Sequence, residues 1–374
     1  MALKIAHLNV VRGFPGLLKQ LEYEENAAKH LDGVEWDVHL YVEEDADQSL
    51  ANPIPTVWRG IFRRKLFAWI WLLKNSRRYD YVLVRHIEFD PFALLFAWFI
   101  RNRVLVFHAK SEKELRLIRR GWKGWAAAKL EGFSGRVAAR TASAILGVTN
   151  DIREYEVRNR ALGEDFASGI YPNGILVESV PVIDDLRPTD AINIAFMCGS
   201  FAEWHGLDII MDALFEEEKE QRLDESIVLH LIGDANEKQI AAIREFQGFS
   251  SKHQVIWYSS LCEKSYRSVF SECHVGLGSL AMYRNDLEEG ATLKVREMLA
   301  MGVPVYSGHR DTAIPDEFPY YRIHQGNILK EIIDFSYESQ GTQRETIRER
   351  ARPLVDKSAY MKSVSDFLAG LKRN

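Results

Sequence analysis

The chain alternates between short apolar runs and longer stretches with helical spacing. In the first half, the apolar runs predict strands, and helical patterns, such as that over 17–31, separate them. These predicted strands cover 4–11, 36–42, 79–84, 103–107 and 144–148. Strands separated by helices are typical of parallel βαβ units, so we expect a parallel sheet in this half.

The same alternation begins again in the second half. Apolar runs predict strands at 192–198, 227–232, 254–258, 275–277 and 303–306. Helical patterns cover 206–215, 263–272 and 291–301, and the last is followed by Gly302 and Pro304, which commonly end a helix. The chain closes with a helical pattern over 346–374 that contains a predicted break at Pro353.

The predicted fold class is therefore α/β, with two Rossmann-like doubly wound parallel-sheet domains that face each other across a cleft. We place the N-terminal domain at 1–180 and a linker, rich in proline and aspartate, at 181–190. The second domain covers 191–352, and the helix over 353–374 is expected to return to the first domain. In such sheets, ligands bind at the carboxyl ends of the strands.

Composition and the length of the apolar runs exclude several classes of protein. The chain has 374 residues, 47% hydrophobic and 27% charged, which excludes a disordered chain, a collagen and a coiled coil. The three cysteines, without CxxC spacing, are expected to be reduced and buried. The N-terminus lacks the features of a signal peptide, and the longest apolar runs, 66–73 and 92–100, are too short to cross a bilayer. We therefore expect a cytoplasmic protein.

Charge is distributed unevenly along the chain. The net charge is −5, yet residues 59–140 contain 19 basic and 6 acidic residues, and six of the nine tryptophans lie in or next to this segment. Basic residues beside aromatic ones are typical of a segment that binds an anionic membrane surface. A core helix with a basic solvated face and a binding site for an anionic polymer are the alternatives. The candidate membrane or acceptor-side residues are Arg63, Arg64, Lys65, Trp69, Trp71, Trp122 and Trp125.

The most informative segment is 288–305, in which Glu289 and Glu297 are separated by seven residues. Small residues lie between them where a helix is predicted to begin, and free amides at a helix N-terminus bind anions. Lys294 adds a positive charge suited to a phosphate. The spacing thus suits a nucleotide diphosphate sugar, with phosphates at the helix tip. The residues of this candidate donor site are Glu289, Gly290, Ala291, Thr292, Lys294 and Glu297.

This segment resembles the E-x7-E signature of the retaining glycosyltransferases of the GT-B fold, in the large sequence family numbered four. Further matching pieces follow the family's order. They are the Pro-Asn-Gly step at Asn173, the donor-side turn with Ser200 and His205, the strand end at 231–234 and the strand-end histidine His108. The resemblance covers nearly the whole chain and is strongest over 171–308.

Two features depart from the family's pattern. Ser200 and His205 stand where members commonly carry an arginine and a lysine that hold the diphosphate. Lys294 and the helix amides, or Arg284, are the candidates to replace them. The first loop, with Gly13 and Gly16, lacks an adjacent glycine pair, although we include both glycines among the donor-binding residues.

The resemblance implies sugar transfer from a nucleotide diphosphate sugar to a hydroxyl of a lipid-linked or surface-glycan precursor, with retention at the anomeric carbon. It implies that Glu289 and His108 contact the donor sugar as catalytic residues, that Thr292 and Lys294 bind phosphate, and that Glu297 binds the ribose. A soluble acceptor and a catalytically silent partner subunit remain alternatives.

The expected partners are thus a nucleotide sugar, a glycan or lipid-linked acceptor and an anionic membrane surface, and not nucleic acid. Asp45 and Asp47 form an Asp-x-Asp triplet, a motif that coordinates a metal in another glycosyltransferase fold. In this chain the triplet falls in a polar loop outside the donor half. We therefore expect no cofactor and no metal.

Overall fold

The computed structural model describes residues 2–10, 15–43, 53–56, 60–119 and 121–371. The chain forms two compact units. The first unit contains residues 1–176 and 356–374, and the second contains residues 177–355. The triplet at Asp45 and Asp47 lies outside the described residues.

The first unit contains a sheet of seven parallel strands in the order β3-β2-β1-β4-β5-β6-β7. The strands are β1 (Leu3–Asn9), β2 (Val34–Glu43), β3 (Pro53–Thr56), β4 (Tyr81–Arg85), β5 (Arg103–Phe107), β6 (Ala144–Gly147) and β7 (Ser168–Ile170). The order reverses between β1 and β4, which creates the crevice in which doubly wound sheets bind ligands.

Helices connect these strands. They are α1 (Pro15–Ala28), α2 (Ile61–Asn75), α3 (Ala93–Phe96), α4 (Ser111–Ile118), α5 (Trp122–Arg140) and α6 (Asn150–Asn159). Apolar side chains of α1, such as Leu17 and Leu21, share one core with Ile5, Leu83 and Val104 of the strands. Strands that contribute fully buried residues explain the nearly continuous apolar runs of the sequence.

The second unit contains six parallel strands in the order β10-β9-β8-β11-β12-β13. They are β8 (Ile192–Ser200), β9 (Ile227–Asp234), β10 (Gln254–Tyr258), β11 (Val275–Leu277), β12 (Val305–Ser307) and β13 (Tyr321–Ile323). This is the strand order of a Rossmann sheet, and its switch point lies between β8 and β11. The connecting helices are α7 (Leu207–Glu220), α8 (Glu237–Phe249), α9 (Glu263–Ser271), α10 (Leu293–Ala300), α11 (Ile328–Gln340) and α12 (Arg344–Val355).

The segment over 177–190 packs on the second unit. Arg348 of α12 donates to the backbone oxygens of Val177, at 2.7 Å, and Val180. The backbone N–H of Ile183 donates to the oxygen of Met301 at 3.3 Å. These contacts fix the polypeptide that the sequence analysis assigns to a linker.

The last helix, α13 (Lys357–Leu371), belongs to the first unit, where Met361, Val364 and Leu368 join its core. The break before α13 lies at Asp356, whereas the sequence predicts it at Pro353. Helix α12 continues through Pro353 and ends at Val355, so the proline lies in its last turn. The carboxylate of Asp356 accepts a hydrogen bond from the backbone N–H of Ser358 at 2.8 Å, so Asp356 caps α13.

Two further findings bear on the predictions for the cysteines and for membrane-spanning segments. Cys198 and Cys273 are buried and unbonded to other cysteines, but Cys262 is exposed, so the expected burial is wrong for this residue. Within the described part of the chain, no helix is both long enough and apolar enough to span a bilayer.

Candidate active site

The donor-site residues of the second unit lie where the carboxyl ends of β8, β11 and β12 meet the N-terminus of α10. β8 pairs with β11, and β11 pairs with β12, so the loops that follow these three strands are neighbours. Ligands of doubly wound sheets bind at this edge. The fold therefore brings together sequence segments that are up to a hundred residues apart.

The first of these segments is the turn that follows β8. Ser200 is exposed at the strand end. The Nδ1 atom of His205 accepts a hydrogen bond from the backbone N–H of Ala202 at 3.0 Å. Burial, with the nearby charge of Lys294, lowers the pKa of His205 to about 3, so the imidazole is neutral at physiological pH. His205 therefore offers a ligand a neutral hydrogen-bonding group rather than a positive charge.

Arg284 is already engaged beside this turn. Its guanidinium forms a two-pronged ion pair with Asp208, at 2.8 and 2.7 Å, and donates to the backbone oxygen of Glu203 at 2.8 Å. To bind a phosphate, this guanidinium would have to give up its charge-assisted hydrogen bonds to Asp208. Lys294 is thus the better candidate for the positive charge at the donor site.

The N-terminus of α10 is uncapped. The helix begins at Leu293, two residues later than predicted, and Thr292 is the N-cap residue but makes no side-chain cap bond. The Oγ1 atom of Thr292 is buried and has no hydrogen-bond partner among the described residues. A buried hydroxyl without a partner is costly, and the first amides of a helix attract anions. This end of α10 thus offers donors to a negatively charged ligand.

Lys294 belongs to the first turn of α10, and its ammonium lies beside the last residues of β8. Its ammonium is 3.3 Å from the sulfur of Cys198 and 5.1 Å from the ring centre of Phe196. Burial raises the pKa of the Cys198 thiol, so this thiol stays protonated and does not neutralise the ammonium. The positive charge therefore remains available to a ligand at the strand ends.

Gly290 is required by its neighbour His309. A Cβ at position 290 would lie 2.5 Å from the Cδ2 atom of His309. The Nδ1 atom of this buried histidine lies 2.9 Å from the backbone oxygen of Ser279 and 2.8 Å from the Oγ atom of Ser307. Its Nε2 atom is buried with no partner among the described residues. Burial lowers the pKa of His309 to about 4, so the ring is neutral.

Glu289 is held by the loop that follows β12. Its Oε2 atom accepts a hydrogen bond from the hydroxyl of Thr312 at 2.7 Å. The backbone N–H of Gly290 donates to the oxygen of Arg310 at 2.8 Å, which ties the two segments together. Glu297 is buried in α10, with 7% of its surface exposed. The two glutamates of the motif thus lie in different settings, one partly exposed before the helix and one buried within it.

A buried ion pair fixes the same loop against α10. Arg296 and Asp311 are both fully buried at their side chains and form two hydrogen bonds of 2.6 and 3.0 Å. Breaking such a pair leaves an uncompensated charge in the interior. Sequence analysis missed Asp311 and His309, although the signal was available, since both directly follow a strand of the predicted parallel sheet.

The predicted site residues of the first unit lie at its own strand ends. His108 follows β5, and burial, with the charge of Arg85, lowers its pKa well below the usual value, so the imidazole is neutral. Its Nε2 atom is buried without a partner among the described residues. Asn173 follows β7, and its side-chain oxygen accepts a hydrogen bond from Gln20 at 2.7 Å. Gly16 is exposed in α1, and Gly13 lies outside the described residues.

The basic and aromatic segment divides into buried and exposed members. Lys65 donates to the backbone oxygen of Phe89 at 3.0 Å, and the Nε1 atom of Trp69 donates to Asp90 at 2.6 Å. Both side chains are buried, which excludes the membrane-facing position that the sequence predicts for them.

The remaining members of this segment differ in exposure. Trp71 and Arg64 are half-buried, and the ring centre of Trp71 lies 4.9 Å from that of His39. Arg63 is exposed, and Trp122 and Trp125 expose 75% and 59% of their surface. The exposed tryptophans of the predicted set therefore lie at the start of α5.

The chain is similar to solved structures over nearly its full length. A putative UDP-N-acetylglucosamine 2-epimerase from Listeria monocytogenes is 14% identical, with a TM-score of 0.56, covering 100% of this chain and 98% of that one. An alpha-glucosyltransferase in complex with UDP-glucose and DNA is 14% identical, with a TM-score of 0.62 and coverage of 99% and 100%. The N-terminal domain of Candida albicans trehalose-6-phosphate phosphatase is 11% identical, with a TM-score of 0.68 and coverage of 99% and 97%.

These similarities show the fold. No protein-family model and no curated protein sequence matches the chain. The structural neighbours include GT-B glycosyltransferases, and the chain has the GT-B fold, with two Rossmann-like doubly wound parallel-sheet domains. The predicted fold class is thereby confirmed. Because the three neighbours carry different activities in their names, the fold alone does not define the reaction.

Proposed function

We propose that the protein is a glycosyltransferase that moves a sugar from a nucleotide diphosphate sugar to an acceptor hydroxyl. The observation that most supports this proposal is the uncapped N-terminus of α10, where the buried Thr292 hydroxyl has no hydrogen-bond partner among the described residues. Gly290, packed against His309, lies two residues before Thr292, and the ammonium of Lys294 lies beside Cys198 of β8. A diphosphate is the ligand that best matches helix amides, a hydroxyl and an ammonium. The similarity to an alpha-glucosyltransferase solved with UDP-glucose supports this choice.

The proposed mechanism depends on stabilising the leaving group. Charge develops on the nucleotide diphosphate as the bond to the sugar breaks, and fixed amides and Lys294 stabilise it without reorganising. The acceptor hydroxyl loses its proton to the departing phosphate, so no protein nucleophile is needed, and the anomeric configuration is retained. Glu289, positioned by Thr312, contacts the donor sugar, and Glu297 binds the ribose. His108, as a neutral imidazole, contacts the donor sugar by hydrogen bonds.

For the acceptor we propose a lipid-linked or surface-glycan precursor at the cytoplasmic face of a membrane. Trp122 and Trp125 are exposed at the start of α5, and Lys123 lies between them in the chain. Exposed indole rings beside cations bind the headgroup region of an anionic bilayer. We propose no metal and no nucleic acid as partner.

A donor panel tests this function. UDP-, GDP-, ADP- and dTDP-sugars are compared for thermal stabilisation of the protein and for slow hydrolysis without acceptor, each with and without EDTA. We expect one nucleotide class to stabilise the wild type and to be hydrolysed in EDTA, with hydrolysis lost in Glu289→Ala. Loss of activity in EDTA would overturn the metal-free mechanism. No stabilisation and no hydrolysis by any donor would instead favour a catalytically silent partner subunit.

A further inference from the structure

The first unit contains a cavity of its own, with a volume of about 360 Å³. It lies at the carboxyl ends of β1, β4 and β5, next to the switch point of the sheet, and Val10, Arg85 and His108 contribute to its wall. The wall also contains charged residues from α2 and α4 and from the loop after β4. These are Arg64 and Lys65 of α2, Glu114 of α4 and Glu88 of the loop.

Arg85 supplies a positive charge to this wall. Among the described residues, no side chain forms a hydrogen bond or ion pair with its guanidinium. Burial lowers the pKa of Arg85 to about 10, with Glu114 and Glu88 acting in the opposite direction, and the group stays charged at physiological pH. Because no side chain of the described residues holds the guanidinium by a hydrogen bond, a ligand anion can form a charge-assisted hydrogen bond with it.

Two carboxyl groups lie in the same wall. They belong to Glu88 and Glu114, and burial raises the pKa of each. Burial, with the neighbouring charges of Glu114 and Glu131, raises the pKa of Glu88 to about 8. At neutral pH Glu88 is therefore mostly protonated, and the two carboxyl groups offer oxygens that accept hydrogen bonds from hydroxyl groups.

The loop that carries Glu88 is strained and firmly held. Phe89 has a φ of 38°, which non-glycine residues rarely adopt. Its backbone N–H donates to Glu131 at 2.5 Å, its backbone oxygen accepts from Lys65 at 3.0 Å, and the Lys65 ammonium lies 3.3 Å from its ring centre. Backbone strain that the surroundings enforce is concentrated at ligand sites.

We propose that this cavity binds the acceptor as a phosphate-bearing sugar or polyol, with the phosphate on Arg85 and a hydroxyl on the Glu88–Glu114 pair. The assignment of the ligand as acceptor rests on the proposed glycosyltransferase function. Arg64 and Lys65 add positive charge to the same wall, so an anion is favoured over a neutral sugar. The phosphate can come from a soluble sugar phosphate or from a lipid headgroup, since both present the same chemistry.

The pair also predicts how binding changes with pH. The charged groups that face Glu88 are Glu114, Glu131, Lys65 and Arg85. Burial lowers the pKa of Lys65 to about 8. As the pH rises through about 8, Glu88 gains a negative charge and Lys65 loses a positive one. Both changes disfavour a phosphate, so its affinity is expected to fall between pH 7 and pH 9.

Calorimetric titration of the full chain tests the proposal, with glucose 6-phosphate, glucose and inorganic phosphate as probes. We expect glucose 6-phosphate to bind more tightly than either of the other two. Arg85→Gln is expected to weaken it about tenfold or more, as befits the loss of a charge-assisted hydrogen bond. Arg77→Gln, which removes an exposed arginine outside the cavity wall, serves as the matched control and is expected to bind like the wild type.

A second arm separates the two sources of phosphate. Phosphatidylcholine vesicles that contain phosphatidylglycerol present a phosphate and hydroxyls on a lipid. If the vesicles compete with glucose 6-phosphate in the wild type but bind Arg85→Gln less tightly, the cavity takes a lipid headgroup; if only glucose 6-phosphate depends on Arg85, it takes a soluble ligand. Equal binding of all probes by wild type and Arg85→Gln, or no binding of either phosphate probe, would overturn the proposal.

The donor panel distinguishes this failure from failure of the proposed function. Arg85→Gln is expected to retain the nucleotide-sugar stabilisation of the wild type, because Arg85 is not among the proposed donor contacts and the proposed phosphate ligands, Thr292 and Lys294, belong to the second unit. Donor hydrolysis without phosphate binding would overturn only the acceptor assignment. If the cavity binds phosphate but no nucleotide sugar stabilises the protein or is hydrolysed, the cavity remains a phosphate site and the proposed glycosyltransferase function is refuted.

Discussion

The ring of His309 lies against Gly290 so closely that a Cβ at position 290 would stand 2.6 Å from its Nε2 atom. The ring has no freedom to move aside, because its other nitrogen is held between Ser279 and Ser307 and the side chain is 2% exposed. The glycine of the E-x7-E segment is therefore required by packing, at the point where the chain approaches the proposed diphosphate site.

Gly290→Ala is expected to displace either the His309 ring or the start of α10. Overpacking of this kind typically costs about 1–3 kcal/mol, so the free energy of unfolding should fall by this amount. Donor KM should rise as well, because the helix amides that meet the phosphates would move. Denaturant unfolding and donor titration measure the two effects.

Gly248→Ala is the matched control for this variant. Gly248 is exposed in α8, and a Cβ there would have no atom within 4 Å. Replacing a helix glycine by alanine stabilises by about 0.5–1 kcal/mol, and donor KM should not change. Equal effects of the two substitutions would contradict the packing requirement at Gly290.

The two glutamates of the motif are expected to differ in kinetics. Glu289→Ala should depress kcat, because its carboxylate, held by Thr312, is proposed to contact the donor sugar as it reacts. Glu297→Ala should mainly raise donor KM, since contact with the ribose contributes equally to ground state and transition state. Steady-state kinetics with varied donor check both, with the exposed Glu288→Ala as control. Near wild-type kinetics in both variants would refute the assigned roles.

The sequence predicted the fold well because most strands are fully buried. Runs such as 192–198 and 227–232 are apolar apart from one residue each, Asn193 and His230, and both are strands of the parallel sheet. Strands β3, β7 and β13 escaped prediction because their three or four residues form no apolar run: β3 contains two prolines, β7 contains a serine and a glycine, and β13 contains an arginine. Such edge strands depend on pairing with a neighbour rather than on their own pattern.

The candidate sites were predicted only in part. Local spacing identified Gly290, Thr292 and Lys294, which follow one another in the chain. It did not identify Arg85, Glu88 and Glu114, because a cavity wall formed from a strand end, a loop and a helix has no sequence period. The pattern also does not show which side chains are buried. Lys65 and Trp69 were therefore assigned to a membrane or acceptor-side surface, although both are buried and donate hydrogen bonds to Phe89 and Asp90.

Exposed and buried tryptophans of the first unit are expected to respond differently to substitution. The double variant Trp122→Ser with Trp125→Ser should bind anionic vesicles at least about tenfold more weakly, because two exposed indole rings are lost from the headgroup region. Its melting temperature should stay near that of the wild type. Vesicle co-sedimentation and thermal unfolding provide the measurements.

Trp69→Phe should show the opposite behaviour. It removes the donor to Asp90 from a buried position and should lower the free energy of unfolding by about 1–3 kcal/mol. Vesicle binding by the folded variant should be unchanged. If the double variant at Trp122 and Trp125 binds vesicles like the wild type, these rings do not form the membrane contact.

The carboxylate of Glu24 joins three elements in the core of the first unit. Its Oε1 atom lies 2.7 Å from the Nδ1 atom of His7 and accepts a hydrogen bond from Trp36 at 2.9 Å. Its Oε2 atom lies 3.7 Å from the ammonium of Lys357, the first residue of α13. Burial alone would raise the pKa of this carboxyl, but His7 and Lys357 outweigh it and lower the pKa to about 2.

Acid is therefore expected to destabilise the first unit through Glu24. Because the folded pKa is below the usual value of 4.5, the stabilisation is present above pH 4.5 and is lost as the pH falls towards 2. Its size is on the order of 3 kcal/mol, and Glu131, whose pKa is also lowered to about 2, adds a second contribution. Glu24→Gln should lower the free energy of unfolding at neutral pH and reduce the further loss of stability between pH 4.5 and pH 2.

Glu22→Gln, an exposed substitution on the same helix, is the control and should change neither quantity. Denaturant unfolding from pH 2 to pH 7 measures both. If Glu24→Gln loses as much stability in acid as the wild type, this carboxylate does not secure α13.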